Sequence, residues 1–480
     1  MKINNIAAIL IWVFYGLVTG CCVFLVAMST GVNMGYGFLP GFAVGMAVLL
    51  VLGPAAFLLH RGAQRLPSPA ASGKRLVVAE SLFGIAALAG MTLLRLISAW
   101  NVETDPVFEL AKVTAESFSP AVAHRGAEIY LYLLHGAMLL VGNKASAAVF
   151  LQTFLLVCAA LSLYLGIRRL SGVVTAMITV LFLGFAPYML TETKRLTPLL
   201  LFLIFYGLAL YCIGSLLHRM NEHYENRLYT FLSYLITGLL IGFCFYLDVS
   251  GLTLLIFLTG VICFDVRYSD AGENGILAFF CCLASAALGY VGAHGIRSIG
   301  GGSLTASIYG QLELYLPGKF CIPASVASGA ASWDIPVLAA LMAVGVYGFW
   351  LSGKIRDKGM WLFAAAILMG MQCFGINNAA YFDGCGLLYL FCAAMAGCSV
   401  SDLFALIKSE EPEESDRMGA YDEMEMIPLD IPETNPAPAA ADTDNEIHYI
   451  ENPLPLPKKK VHRVLDYDYE VADDDDFDIQ

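Results

Sequence analysis

Long apolar runs recur along most of this chain, and each is close to the roughly 20 residues a helix needs to cross a hydrocarbon core about 30 Å thick. They fall near 6–28, 38–60, 77–100, 146–166, 172–190, 196–217, 228–247, 249–264, 276–297, 334–352, 360–376 and 384–406. Inside a bilayer the backbone amides have no water to bond with, so each run must close its hydrogen bonds on itself. The expected fold is an all-α, polytopic membrane protein with about 12 transmembrane helices.

Composition agrees. A mean hydropathy of +0.70 with only 14% charged residues excludes a soluble globular protein. The net charge of -13 is unevenly placed: residues 408–480 carry -16, and residues 1–407 carry +3. After Lys408 the chain is rich in Glu, Asp, Pro and Ala, which bury too little apolar surface to offset the entropy of ordering. This predicts a disordered, acidic cytosolic tail. Lys458, Lys459 and Lys460, followed by the run Asp473 to Asp476, suit contact with a cytosolic partner, with a merely solvated run as the alternative. Neither half of the charge distribution points to nucleic acid.

Three regions follow: 1–76, two N-terminal transmembrane helices and a basic cytosolic loop; 77–407, the main membrane module with outer loops 101–145 and 298–333; and 408–480, the tail. The first span follows a single lysine without a small-residue cleavage site, and reads as retained. Gly16/Gly20 and Gly41/Gly45 have the four-residue spacing that lets helix backbones approach. Eleven of the 13 cysteines lie in or beside apolar runs and read as small packing residues. Cys321 and Cys385 fall near the outer surface, and a disulfide between them is left open.

Orientation follows from the excess of Lys and Arg in cytoplasmic loops. With both termini in the cytosol, inside segments hold 14 such residues, among them Arg168, Arg169, Arg219 and Arg227; outside segments hold 7. The same count decides what residues 128–142 do, since a crossing there would reverse every later loop. A helix of 15 residues reaches about 22 Å, short of the hydrocarbon core. Glu128, Tyr132 and His135 would form a polar stripe on it, so this segment is expected to lie along the outer surface.

The chemistry-bearing stretch is residues 100–142. Glu103, Asp105 and Glu109 place three carboxylates within seven residues just beyond a span, and Glu116, His124 and Arg125 follow. A second outer segment, 298–333, opens with Gly300 to Gly302 and contains Lys319; without a strand-to-helix context the glycines read as a connector, not a phosphate cradle. A smaller outer loop, 377–384, holds Tyr381 and Asp383.

From residue 77 to about 215 this order of elements resembles the GT-C superfamily of membrane glycosyltransferases, in particular the protein O-mannosyltransferase and aminoarabinose transferase branch. The matching features are a span ending at Trp100, an acidic loop with Asp105, and a juxtamembrane helix at 128–142. A span from Ala145 to Arg168-Arg169-Leu170-Ser171-Gly172 comes next, then a span ending at Pro187, with Glu192 beyond it. The resemblance implies transfer of a sugar from a polyprenyl-phosphate donor to a glycan, lipid or protein acceptor, on the outer face of a bacterial cytoplasmic membrane. It implies that Asp105, with Glu103, acts on the acceptor or helps hold a divalent cation. Arg125, Glu192, Lys194 and Arg195 within it, and Lys319 beyond it, are the candidates for binding the donor. The family's adjacent Asp-Glu pair is absent, because Pro106 follows Asp105.

Each residue has a plainer alternative. Asp105 before Pro106 suits the start of a helix; Glu192, Lys194 and Arg195 suit a solvated turn. Arg125 and Lys319 suit anionic lipid head groups, and Arg95 suits snorkelling to the surface. A flippase or transporter of lipid-linked intermediates is the competing function, and a catalytically inactive assembly partner is the third. A transporter would place ionisable groups near the bilayer midplane, whereas here the clustered charges lie in outer loops.

The topology is tested with an impermeant thiol reagent in a background lacking Cys321 and Cys385. Cysteines at Thr104 and Thr191 should react from the same outer face, and one at Ser415 should not. Reaction of the first two from opposite faces would mean that residues 128–142 cross.

Overall fold

The computed structural model describes residues 73–97, 105–117, 127–142, 144–221, 227–264, 272–298, 303–314, 356–373 and 385–408, with helical positions at 39, 40, 43, 46, 47 and 51. Among the described residues every element is helical. The expected spans 6–28 and 334–352 lie outside them, as do Gly16/Gly20, Gly41/Gly45, Gly300 to Gly302, Cys321, loop 377–384 and the tail beyond Lys408. Five helical segments among the described residues are long and apolar enough to cross a membrane: Glu80–Ile97, Ala145–Ser171, Leu199–Leu216, Tyr229–Leu247 and Leu277–Ile296.

The frame of the site is a pair of helices, α1 (Gly73–Ile97) and, further along, Ala145–Ser171. Between them lie α2 (Pro106–Ser117) and α3 (Ala127–Val141), so the long apolar helix is α4. At one end of the pair, Glu80 of α1 accepts hydrogen bonds from Tyr164 and Arg168 of α4, with Arg168 Nε at 3.1 Å. At the other end, Arg95 of α1 and Gln152 of α4 both reach the segment 190–195. Gln152 and Arg168 are about four turns apart, or about 24 Å. The two helices therefore run antiparallel, and the chain leaves α1 and enters α4 at the same end.

The expected span 172–190 is broken in two. Helix α5 (Val173–Phe185) stops at Ala186, whose φ of -68° and ψ of 132° are extended, and α6 (Pro187–Glu192) begins with the proline. Pro187 accounts for both facts: it drives the preceding residue out of the helical region, and it fits the first helical turn, where no amide partner is needed.

Helix α7 (Leu199–Asn221) returns along α4. The contact rests on glycine: a Cβ on Gly207 would sit 2.5 Å from the Leu163 amide nitrogen, and one on Gly166 would sit 2.5 Å from the Gly207 carbonyl. Helices α8 (Arg227–Leu247) and α10 (Gly272–Ser298) pair in the same way, with Gly242 against the Ala286 carbonyl. Apolar contact drives no association in lipid, so this close backbone approach supplies the packing instead. Between α8 and α10, Asp248 caps a 3-10 turn, Val249–Leu252, which leads into α9 (Thr253–Phe264).

Helices α12 (Arg356–Cys373) and α13 (Cys385–Lys408) complete the described bundle. Trp361 donates to Ser171 Oγ at 3.0 Å and packs against Phe257 and Phe391, which joins α4, α9, α12 and α13. The outer segment expected at 298–333 contains a helix, α11 (Leu304–Leu314), started by Ser303 Oγ accepting from the Ala306 amide. Gln311 anchors it by donating to the Tyr246 carbonyl at 2.8 Å. Cys158, Cys212, Cys244, Cys281, Cys282, Cys392 and Cys398 are unbridged and buried or half-buried.

Two expectations are overturned. Arg95 does not snorkel: it is 2% exposed, because its guanidinium turns inward to the Leu190 carbonyl. The face of α3 with Tyr132 and His135 is not a uniform polar stripe either. His135 is buried with Tyr130, Leu131 and Leu134 against the bundle, while Leu133, Leu139 and Leu140 are exposed.

Gly207→Ala should destabilise the protein by about 1–3 kcal/mol, the range for overpacking, measured as a lower melting temperature in detergent. Gly84→Ala, where nothing lies within 4 Å of the new methyl, should be neutral or stabilising by up to about 1 kcal/mol.

Candidate functional site

Asp105 stands at the start of α2. Its Oδ1 accepts from the Val107 amide at 2.9 Å, and its carbonyl accepts from the Phe108 amide at 3.0 Å. With Pro106 in the first helical position, this is an N-cap, since the second-position amide would otherwise have no partner. The plainer alternative for Asp105 thus describes half of its role. Its other oxygen, Oδ2, accepts from the amide of Leu196 at 3.3 Å, ninety-one positions later in the chain. One carboxylate therefore links the acidic segment to the turn after α6.

Helix α2 is held by its inner face, where Val107, Phe108 and Ala111 are buried. Glu109 and Lys112 form an ion pair at 2.8 Å, and the Lys112 ammonium sits 4.5 Å from the centre of the Phe108 ring. Such an exposed pair contributes little to stability.

The turn after α6 is fixed from within and from behind. Internally, Thr193 Oγ1 donates to the Met189 carbonyl at 2.5 Å, and the amides of Lys194 and Arg195 donate to the carbonyls of Thr191 and Glu192. From behind, Gln152 Nε2 donates to the carbonyls of Arg195 at 2.7 Å and Thr193 at 3.4 Å. Arg95 Nη1 donates to the Leu190 carbonyl at 3.2 Å. The outer side of the turn is cationic: Arg195 is 61% exposed and lies 3.5 Å from Glu192, and Lys194 is half-buried.

Tyr130 of α3 belongs to the same neighbourhood. It is wholly buried, and its hydroxyl has no hydrogen-bond partner among the described residues. Burial, and secondarily the nearby Asp105 carboxylate, push its phenol well above the ordinary value. It is therefore a neutral group beside an acidic one.

Of the residues singled out from sequence, Asp105, Glu192, Lys194 and Arg195 are brought to one end of the α1–α4 pair. Glu103, Arg125 and Lys319 lie outside the described residues. Gln152, Arg95 and Tyr130 were missed as parts of the site. Gln152 carried a readable signal, as the one amide side chain in α4; Arg95 and Tyr130 show their roles only through packing. For a divalent cation, no group of three or more His, Cys, Asp or Glu side chains comes together among the described residues.

No protein-family model matches the chain, and no curated protein does. Among solved structures it is similar to the Archaeoglobus fulgidus oligosaccharyltransferase tethered to an acceptor peptide, with a TM-score of 0.41 and 17% identity over 72% of this chain. The chain spans about half of that protein, 51% of its length.

The two bonds of Asp105 separate by substitution. Asp105→Ala removes both bonds and should cost about 1–3.5 kcal/mol in unfolding experiments. Asp105→Asn keeps a capping oxygen and should cost less, about 0.5–1.5 kcal/mol through the Leu196 bond.

Proposed function

We propose that this protein is a membrane glycosyltransferase of the GT-C type, moving a sugar from a polyprenyl-phosphate donor to an acceptor at the membrane face that carries Asp105. The observation that supports this most is the bond from Asp105 to the Leu196 amide. It joins the acidic segment to the cationic turn, the two segments that the sequence resemblance assigns to acceptor and donor.

That face is read as the outer face of a bacterial cytoplasmic membrane, because Arg168 and Arg169 lie at the opposite end of α4. Helix α3 then lies along the surface with Leu139 and Leu140 toward lipid. The tail after Lys408 belongs to the cytosolic side, away from the chemistry, where it is available to a partner.

In this reading an acceptor hydroxyl or amine gives its proton to Asp105, or to Glu103 two positions earlier in the chain, as it attacks the anomeric carbon of the donor sugar. A carboxylate offers about four acceptor positions, and two are used by backbone amides, so proton transfer does not require dismantling the cap. The bond from sugar to phosphate oxygen breaks, and its electron pair stays on the phosphate. Lys194 and Arg195 offset that charge, Arg by two parallel hydrogen bonds. Glu192 holds Arg195 in place before donor arrives, and Arg125 and Lys319 are further candidates for the phosphate or for neighbouring lipid head groups.

Asp105→Asn should lower turnover by about two to four powers of ten, the usual contribution of a general base, a loss far larger than any change in donor binding. Arg195→Ala should instead weaken donor binding about tenfold, equivalent to roughly 1.4 kcal/mol. Both are read in one assay of purified protein with short-chain polyprenyl-phosphate sugars. Wild-type turnover in Asp105→Asn and in Glu103→Gln would remove the acidic segment from the mechanism.

A further inference from the structure

Three polar side chains from three separate parts of the chain, two of them buried, take hold of one short stretch of backbone. Arg95 of α1 holds the Leu190 carbonyl, Asp105 at the head of α2 holds the Leu196 amide, and Gln152 of α4 holds the carbonyls of Thr193 and Arg195. Arg95 is 2% exposed and Gln152 is 1% exposed. In an apolar surrounding a buried amide is costly unless its hydrogen bonds are made. Gln152 nevertheless sits in a helix built otherwise for lipid and packing, with its donor committed to backbone.

The geometry has a directional consequence. Drawing the carbonyls of Thr193 and Arg195 inward places their negative ends behind the turn, against Gln152. The opposite side of the same turn carries the Lys194 and Arg195 side chains and is half-buried to exposed. The turn thus presents positive groups outward while two of its carbonyl oxygens are held on the other side, which favours an anion there.

We propose that Gln152, with Arg95, is a positioning residue that fixes the 190–196 backbone so that Lys194 and Arg195 bind the phosphate of a polyprenyl-phosphate lipid. The phosphate half of this inference rests on the proposed function; the backbone half does not. Gln152 touches no substrate in this account and acts only through the turn. A residue that acts only through another should have an effect that vanishes once the other is removed.

The test uses full-length protein in nanodiscs, with a short-chain polyprenyl monophosphate as ligand and the corresponding polyprenol as the uncharged control. Gln152→Met keeps the length of the side chain and removes its donor. It should weaken binding of the monophosphate about tenfold, leave binding of the alcohol unchanged, and add little further loss when combined with Lys194→Ala and Arg195→Ala together. Amide exchange should quicken across 190–196 and stay slow in α7. Should Gln152→Met not accumulate as folded protein, Gln152→Asn keeps the amide but shortens its reach, and should show the same pattern more weakly.

A lowered melting temperature with wild-type affinity for the monophosphate, or losses that simply add to those of the Lys194→Ala and Arg195→Ala double variant, would overturn the positioning role. Unchanged amide exchange across 190–196 would overturn the backbone clamp itself. Equal binding of monophosphate and alcohol by the wild-type protein would overturn the phosphate reading on which the ligand half depends, and the exchange measurement would still decide the clamp.

Discussion

Within a bilayer a polar group must find its partner inside the protein, since neither water nor lipid tails will supply one. The architecture follows from where this chain meets that requirement. At one end of the antiparallel α1–α4 pair, Glu80 is satisfied by Tyr164 and Arg168. At the other, Arg95 and Gln152 donate to backbone carbonyls in the last turn of α6 and just beyond it. The first set ties the two helices directly to each other, and the second ties both to the 190–196 turn.

Packing and polarity divide the work. The long helices associate where glycines remove side chains, Gly166 with Gly207 and Gly242 with Ala286, so dispersion and close backbone contact hold the bundle. Large aromatics, Trp361, Phe257 and Phe391, fill the region where α9, α12 and α13 meet. Polar side chains then decide the position of the ends. Asp248 performs at the end of α8 the capping role that Asp105 performs at the head of α2, each accepting from the amide two residues on.

Much of this was legible beforehand, and the exceptions have physical causes. Apolar runs marked most of the helices because membrane-spanning helices need continuous hydrophobicity. The turn containing Glu192, Lys194 and Arg195 stood out because charge is rare in such a chain. The break at Ala186 was less visible: hydrophobicity continues through it, and Pro187 alone signals the change. The inward turn of Arg95 was not legible, since an arginine one turn inside a span suits snorkelling as well as burial until a carbonyl is seen to meet it. The polar stripe of α3 was misread for a related reason, because a histidine on a short helix turns toward a bundle as readily as toward water, and His135 is buried. Asp105 was found by composition, but its link to Leu196 joins residues far apart in the chain, which no local pattern reveals.

The central claim is that the acidic segment and the cationic turn share one face of the membrane and are held together there. Pulsed electron spin resonance between labels at Glu109 and Arg195, both well exposed, measures this most directly in lipid. A single narrow distance, well inside the roughly 30 Å thickness of the hydrocarbon core, is the predicted result. A distribution centred at or beyond that thickness would place the two segments on opposite faces and contradict the account.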